Sequence, residues 1–425
     1  MGVGDRRSGS LTVLVIALSA VLAVSSAAQA GPLDPDTKFG GDGRARWGPL
    51  GYSYPAAMVA DGRRVHLASV GSNTSDSAFM AVSTLGRRGR LISTRYHGPG
   101  GFPDVADILL TPNHGVIVVG YSRYYDYSTG SAELISARPF AIALHRNLSL
   151  RRSFGKRGDG LAATTLLPNL AMDTVTGASL DSEGGVVIVG ERGGDVVIAR
   201  LRRNGRPDRS LGTNGVRRIV TPLHNERPVD MSLDSQGRIV VVGEDYRSGR
   251  HLENFVARYG LSGIPSGLWR RGIMRHFNSH LWRPEQLIVK PSDRLLIGFS
   301  SQKASHVRIT QLTARGVADF RHFTRDAKVN ARCVHPAHLT TLSELTFMQT
   351  RGGKSRIAAF MNCRRSGGVV QRAAGWNGHG HPLNSFGPNG VGRLPWQEPV
   401  VDAVTVPGDR YVLAHTFFLA RLGTH

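Results

Sequence analysis

Helical patterning is the first thing missing from this chain of 425 residues: no segment of its body carries apolar residues at helical spacing, which points away from helix-based folds. Beyond residue 30 no apolar run is long enough to cross a membrane. There is no Gly-x-Ser-x-Gly elbow, no His-Glu-x-x-His motif and no phosphate-binding P-loop, so the familiar signatures of several large enzyme classes are absent. Lysine is scarce, supplying six of the 53 basic residues. Cysteine occurs twice, as Cys333 and Cys363. In an oxidising compartment the pair is expected to form one disulfide, closing a loop of about 30 residues and contributing roughly 3–4 kcal/mol. His335, His338, His379 and His381 lie near the pair in sequence and would suit Zn²⁺, but their spacings match no familiar zinc motif. A disulfide is therefore the expectation, and no metal or other cofactor is.

What the chain does have begins with a targeting signal. Arg6 and Arg7 precede an apolar run, Leu11–Val24, followed by Ala28-Gln29-Ala30, small residues where signal peptidase reads. Residues 1–30 are expected to be a cleaved secretory signal peptide, leaving residues 31–425 as one secreted or extracytoplasmic domain in the cell envelope. The formal net charge is +22, carried almost wholly by Arg. That excess favours an anionic partner or surface, with cell-wall polymer or acidic polysaccharide more fitting than nucleic acid for an exported protein.

Glycine, at 52 residues, marks tight turns, and these recur with a pattern. The best copy is Asp234–Tyr259: a turn, the strand Ile239-Val-Val-Val-Gly243, a polar connection, and Asn254-Phe-Val-Ala-Arg-Tyr259. Seven variants of it follow one another. Each has an alternating, half-buried first strand, a continuous apolar second strand buried on both faces, and a third strand of the Phe-x-Ala-Arg-Leu type. A Phe-Gly-x-x-Gly-like fourth segment follows, clearest at Leu211–Gly215 and Phe386–Gly390. From Gly71 to His415 the pattern advances 344 residues in six steps, about 57 each, which suits four-stranded units.

The seventh copy ends at Ala420-Arg421-Leu422 without a fourth segment, and the missing piece lies at the other end of the chain, in Leu33–Gly43. Ends that complete one unit close a ring, whereas an open solenoid needs caps. The expectation is an all-β, seven-bladed β-propeller of four-stranded antiparallel blades, its last blade closed by the N-terminal strand. Asp34, Asp36 and Asp42 in the closing segment have a spacing that hints at calcium, but the same turn recurs elsewhere without those carboxylates, so they are read as turn residues.

Gly237-Arg238-Ile239-Val240-Val241-Val242-Gly243, Ala257-Arg258-Tyr259 and Leu33–Gly43 resemble the tandem motifs of the delta-60 repeat family of bacterial proteins. The resemblance spans nearly all of residues 33–422 and is weakest in repeats five and six. It implies a propeller-like fold in an exported protein and brings no catalytic residues with it.

Function is best sought where the chain departs from the repeat. Tyr121–Pro139, between the second and third strands of repeat two, is read as a long loop holding Tyr121, Tyr124, Tyr125 and Tyr127, four of the ten tyrosines. Aromatic faces with hydroxyls suit sugar rings or protein surfaces. The segments leading into the first strands hold His224, Glu226, Arg227, His280, Trp282, Arg283 and Asp326, more basic than acidic. The candidate ligand-binding set is Arg123, Tyr124, Tyr125, Tyr127, Arg227, Trp282 and Arg283. The functional expectation is a monomeric binding or scaffold module for an anionic or carbohydrate-bearing partner. The alternative is a propeller hydrolase or lyase working at the channel mouth.

Overall fold

In the computed structural model the described residues are 34–47, 52–74, 77–128, 131, 133–155, 160–163, 172, 174–219, 225–247, 250–264, 273–277, 282–301, 306–323, 328–330, 340–349, 354–365, 368–407, 410–415 and 418–422. The expected signal segment, residues 1–30, and Cys333, His224, His280 and Asp326 lie outside them.

Seven four-stranded antiparallel sheets form the blades. Blade 1 is β2–β5 (Tyr52–Asp61, Arg64–Thr74, Ser77–Leu85, Leu91–His97) and blade 2 is β6–β9 (Phe102–Leu110, Val116–Asp126, Glu133–Leu144, Leu161–Ala163). Blade 3 is β10–β13 (Thr174–Leu180, Val186–Arg192, Asp195–Leu201, Val216–Ile219) and blade 4 is β14–β17 (Glu226–Leu233, Ile239–Arg247, Arg250–Tyr259, Ile273–Phe277). Blade 5 is β18–β21 (Trp282–Val289, Leu295–Ser301, His306–Leu312, Lys328–Asn330) and blade 6 is β22–β25 (Thr340–Gln349, Ser355–Arg365, Gly368–Asn377, Val391–Arg393). Blade 7 joins β26–β28 (Val400–Val406, Arg410–His415, Phe418–Leu422) to β1 (Arg44–Arg46). Each first strand packs beside the next, from β2 through β6, β10, β14, β18 and β22 to β26, and β26 returns to β2, so the ring is closed.

The expected closure is present, one segment further along the chain. The outer strand of blade 7 is Arg44–Arg46, with Arg44 opposite Ala420, rather than Leu33–Gly43. Of that stretch, the described residues form the lead-in: Pro35 bridges Leu422, and the Asp36 N–H donates to the Arg421 carbonyl at 2.8 Å. The same shift holds inside the ring. Leu211–Gly215 forms short 3-10 turns that deliver the chain to β13.

The apolar second strands are buried on both faces because they sit between two neighbours. In β11, Val186 and Ile188 pack with Ile117 and Val119 of blade 2, while Val187 and Val189 pack with Ile239 and Val241 of blade 4. Burying one such valine stabilises by about 1.5–3 kcal/mol. The glycine that closes the second strand also has a cause. Every first strand carries a β-bulge, between Val105 and Asp107 in β6 and between Pro228 and Asp230 in β14, for example. The bulge presses its carbonyl onto the facing strand. A Cβ on Gly120 would lie 2.0 Å from the Asp104 carbonyl oxygen, and one on Gly243 2.4 Å from that of Arg227.

Cys363 is fully buried in β23. Its expected partner, Cys333, is outside the described residues.

Candidate functional site

First strands begin, and second strands end, on one face of the disc; the register pairs Phe102 with Arg123 and Glu226 with Asp245 there. All seven candidate residues lie on or beside this face. Tyr121–Pro139 is not a loop: its residues through Asp126 belong to β7, and Glu133 onward to β8, with Asp126 opposite Glu133. Ladder hydrogen bonds continue outward because the tyrosines and β-branched residues there favour extended backbone. The tyrosines therefore ride on a hairpin.

On blade 2 a polar cluster is built across β6 and β7. Arg123 Nη2 donates to Asp104 Oδ2 at 2.7 Å and to the Tyr121 hydroxyl at 2.9 Å, while that hydroxyl donates to Asp104 Oδ2 at 3.0 Å. Hydrogen bonds with Tyr121 and Tyr125 hold Arg123 above the usual guanidinium range. The Tyr124 ring lies under the Arg138 guanidinium, 4.6 Å from its centroid, and against Gly101, where a Cβ would come within 3.2 Å of it. Tyr125 meets Phe102 edge to face at 5.5 Å. Tyr127, Leu134 and Ile135 project outward, exposed by 54%, 52% and 65%.

The other candidates form a separate cluster at the junction of blades 4 and 5. Arg283 Nε lies 3.3 Å from Glu244 Oε1, and the Tyr246 hydroxyl donates to Glu244 Oε2 at 2.7 Å. Arg227 is exposed opposite Glu244. Trp282 is partly buried against the apolar cluster of Val240, Val242 and Phe299, and its carbonyl accepts from Asn254 Nδ2 at 2.9 Å. Glu285 accepts from the Ser300 hydroxyl. Desolvation pushes Glu285 up to about 7, with that hydrogen bond opposing and the Glu244 charge adding. Blade 3 separates the two clusters, so the seven residues make two groups on one face.

The channel wall held what the sequence reading missed. The residue after each bulge points along the inner edge of its sheet, and in five blades it is acidic or an amide: Asp107, Asp230, Gln286, Glu344 and Asp402. Asp230 Oδ1 accepts from the Met231 N–H at 2.7 Å, and its Oδ2 accepts from the Leu287 N–H of blade 5, also at 2.7 Å. Asp107 reaches the Ala178 N–H of blade 3 at 3.3 Å, and Asp402 the Met58 N–H of blade 1 at 2.5 Å. The Leu345 N–H of blade 6 donates to Gln286 Oε1, while Gln286 Nε2 donates to Glu344 Oε2 at 2.6 Å. These side chains satisfy donors on the open inner edges and latch blade to blade. Ala57 and Gly177 occupy the same position in blades 1 and 3 without a latch.

Each channel carboxylate keeps some accessible surface, yet protein surrounds it, and desolvation dominates its ionisation. Burial raises Asp107 to about 6 and Asp230 to about 7, against the pull of their backbone donors. Asp402 rises to about 7, and Glu344, buried beside it and hydrogen-bonded to it, lies well above the ordinary carboxylate range. Two such neighbours share a proton. The signal was in the sequence: Val105-Ala-Asp107, Pro228-Val-Asp230 and Val400-Val-Asp402 recur at one repeat position. The rim carries Arg123, Arg227 and Arg283, whereas the wall below it is acidic. Among the described residues no three His, Cys, Asp or Glu side chains are grouped to hold a metal ion.

No family model matches the chain, and no curated protein matches it. Solved structures with a similar fold include an extracellular domain described as part of a hybrid two component system of B. thetaiotaomicron, at 11% identity and a TM-score of 0.46, covering 93% of this chain and 43% of that one. An ulvan lyase, described as a new family of polysaccharide lyase, aligns at 9% identity and a TM-score of 0.47 over 89% of this chain and 96% of its own. The β-propeller domain of the trilobed protease from Pyrococcus furiosus aligns at 9% identity and a TM-score of 0.45 over 87% and 95%. The chain spans less than half the length of the first of these. Likeness at this level concerns the fold alone.

Proposed function

We propose that the protein is exported and acts as a binding module for an anionic or carbohydrate-bearing partner, engaged through the blade 2 hairpin. The supporting observation is the hairpin itself: Arg123 fixed by Asp104 and Tyr121, with Tyr125 and Tyr127 beside it and exposed Leu134 and Ile135 at its end. Rigid aromatic faces next to an oriented guanidinium suit a sugar ring bearing a carboxylate or sulfate. Export rests on Arg6, Arg7, the apolar run Leu11–Val24 and the Ala28-Gln29-Ala30 site; a mature N-terminus at Gly31 in the secreted protein is the expected result of sequencing it. Kinship with the delta-60 repeat proteins belongs to the same proposal and rests on the repeat motifs.

The test is a pull-down with cell-wall polymer and acidic polysaccharide at two salt concentrations. Tyr125→Ala with Tyr127→Ala is expected to lower retention about tenfold, with some selective binding left at high salt in the unaltered protein. Unchanged retention in the double variant would remove the hairpin from the site.

The alternative, a lyase or hydrolase at the channel mouth, draws its support from the proton-sharing pair Glu344 and Asp402. Against it, Asp402 is committed to two backbone donors and Glu344 to Gln286.

A further inference from the structure

On the face opposite the hairpin, blade 7 meets blade 1 around a cavity of about 440 Å³. Arg63, from the first turn of blade 1, and Arg87, from its last, line one side; Arg410 and Arg421 of blade 7 line the other, with Phe39 and Val65 among the apolar walls. Asp36 of the closing segment lies 3.1 Å from Arg410 Nε and 2.9 Å from Arg421 Nε. Arg421 Nη1 also donates to the Arg87 carbonyl, across the seam. Arg63 and Arg87 are exposed and make no ion pair among the described residues.

This concentration of charge comes from the way the repeat is altered at the seam. Arg421, opposite Val412, occupies the place that Arg200 has opposite Val187 in blade 3 and Arg258 opposite Val240 in blade 4, one residue before the end of the third strand. In blade 3 that arginine meets Asp181 from the first turn and Asp208 from the last, both at 2.7 Å. Asp36 is the seam's counterpart of Asp208, since Pro35 bridges Leu422 as Pro207 bridges Leu201. The first-turn carboxylate, Asp181 in blade 3 and Asp234 in blade 4, is replaced in blade 7 by Val406. Among the described residues one carboxylate thus serves two arginines, and two more arginines reach in from blade 1.

We propose that this cavity binds a small organic phosphate monoester, with the phosphate between the arginines of the two blades and the organic body along Phe39 and Val65. Among the described residues four guanidinium groups face one carboxylate, which favours a dianion over a monoanion, and three terminal oxygens can be shared among forked donors from both sides. A cavity of about 440 Å³ exceeds the needs of a bare phosphate, and its partly apolar wall suits a carbon skeleton. The site is separate from the hairpin and does not rest on the function proposed for it. Because its ligands come from blade 1, blade 7 and the turn docked against the closing segment, occupancy would stabilise the ring closure.

The test is titration calorimetry and thermal unfolding of the purified protein with glucose 6-phosphate, glucose 6-sulfate and inorganic phosphate at one ionic strength. Saturable binding of glucose 6-phosphate is expected, with a rise in Tm, and at least tenfold weaker binding of the monoanionic sulfate ester. Arg63→Ala with Arg87→Ala is expected to weaken glucose 6-phosphate about tenfold or more while leaving Tm in chloride unchanged. No saturable binding of glucose 6-phosphate, or unchanged affinity in the double variant, would overturn the site. Equal affinity for inorganic phosphate would overturn the monoester. Tyr125→Ala with Tyr127→Ala is expected to leave this binding intact, so the two sites fail independently.

Discussion

Arg200 and Arg421 stand at the same place in the repeat and live in opposite electrostatic conditions. Burial opposes the charge on both. At Arg200 the carboxylates of Asp181, Asp208 and Glu183 outweigh that cost and hold the guanidinium above its ordinary range. At Arg421 desolvation outweighs the pull of Asp36, which also pairs with Arg410, and the charges of Arg410 and Arg87 add to the burden. One arginine is a finished staple; the other is left with charge to offer. The lesson is that a repeat residue takes its role from the neighbours its blade supplies.

The largest expected effect breaks the finished side of that comparison. Arg200→Leu leaves Asp181 buried without a counter-charge and Asp208 with only the more distant Arg202, and is expected to cost about 3–5 kcal/mol in urea unfolding. Asp36→Asn tests the unfinished side. It removes a carboxylate shared by Arg410 and Arg421 and is expected to cost about 1–3 kcal/mol in chloride. It should also tighten phosphate binding, so added glucose 6-phosphate recovers part of the loss; equal affinity in variant and parent would contradict the charge account.

A third kind of carboxylate, bound by neutral N–H groups in the channel, sharpens the contrast through pH. Asp107, Asp230 and Asp402 have folded values raised to about 6–7, chiefly by desolvation. Groups raised in this way favour the fold below their unfolded values, and the benefit is lost as pH rises through 6–7. His66 and His415, lowered to about 4 by burial, act in the opposite direction: the stability they preserve is present above 6.5 and lost as pH falls toward 4. The carboxyls are more numerous, so Tm is expected to fall by a few degrees between pH 5.5 and pH 8, and Asp230→Asn should flatten that slope. A Tm that rises over this interval would refute it. The smallest effect belongs to the third partner of Arg200. Glu183 is 79% exposed, and Glu183→Ala is expected to change stability by less than about 0.5 kcal/mol.

Much of this architecture could be read from residues alone. Ile239-Val-Val-Val-Gly243 declares a strand buried on both faces, and the split between Ala420-Arg421-Leu422 and the N-terminal segment declares a closed ring. Leu33–Gly43 reads as the closing strand because Phe-Gly-x-x-Gly is so regular; its regularity is that of a turn, and the three-residue strand after it has no pattern of its own. The tyrosine stretch was visible as a departure, but not that ladder pairing carries it outward as a hairpin. The channel latches were missed for a different reason. An Asp in an alternating strand looks like an ordinary solvent-facing residue, and only the bulge turns it onto the neighbouring blade.

The repeat, the number of blades and the way the ends meet are all written locally in the chain, because turn glycines and period-2 burial are local properties. Tertiary structure alone decided which charges are satisfied. Arg421 and Arg63 are more than 350 residues apart, and only closure of the ring brings them to one cavity. Whether an arginine there is a staple or a ligand-seeking group depends on the carboxylates within a few ångströms, a sum over neighbours that no single repeat contains.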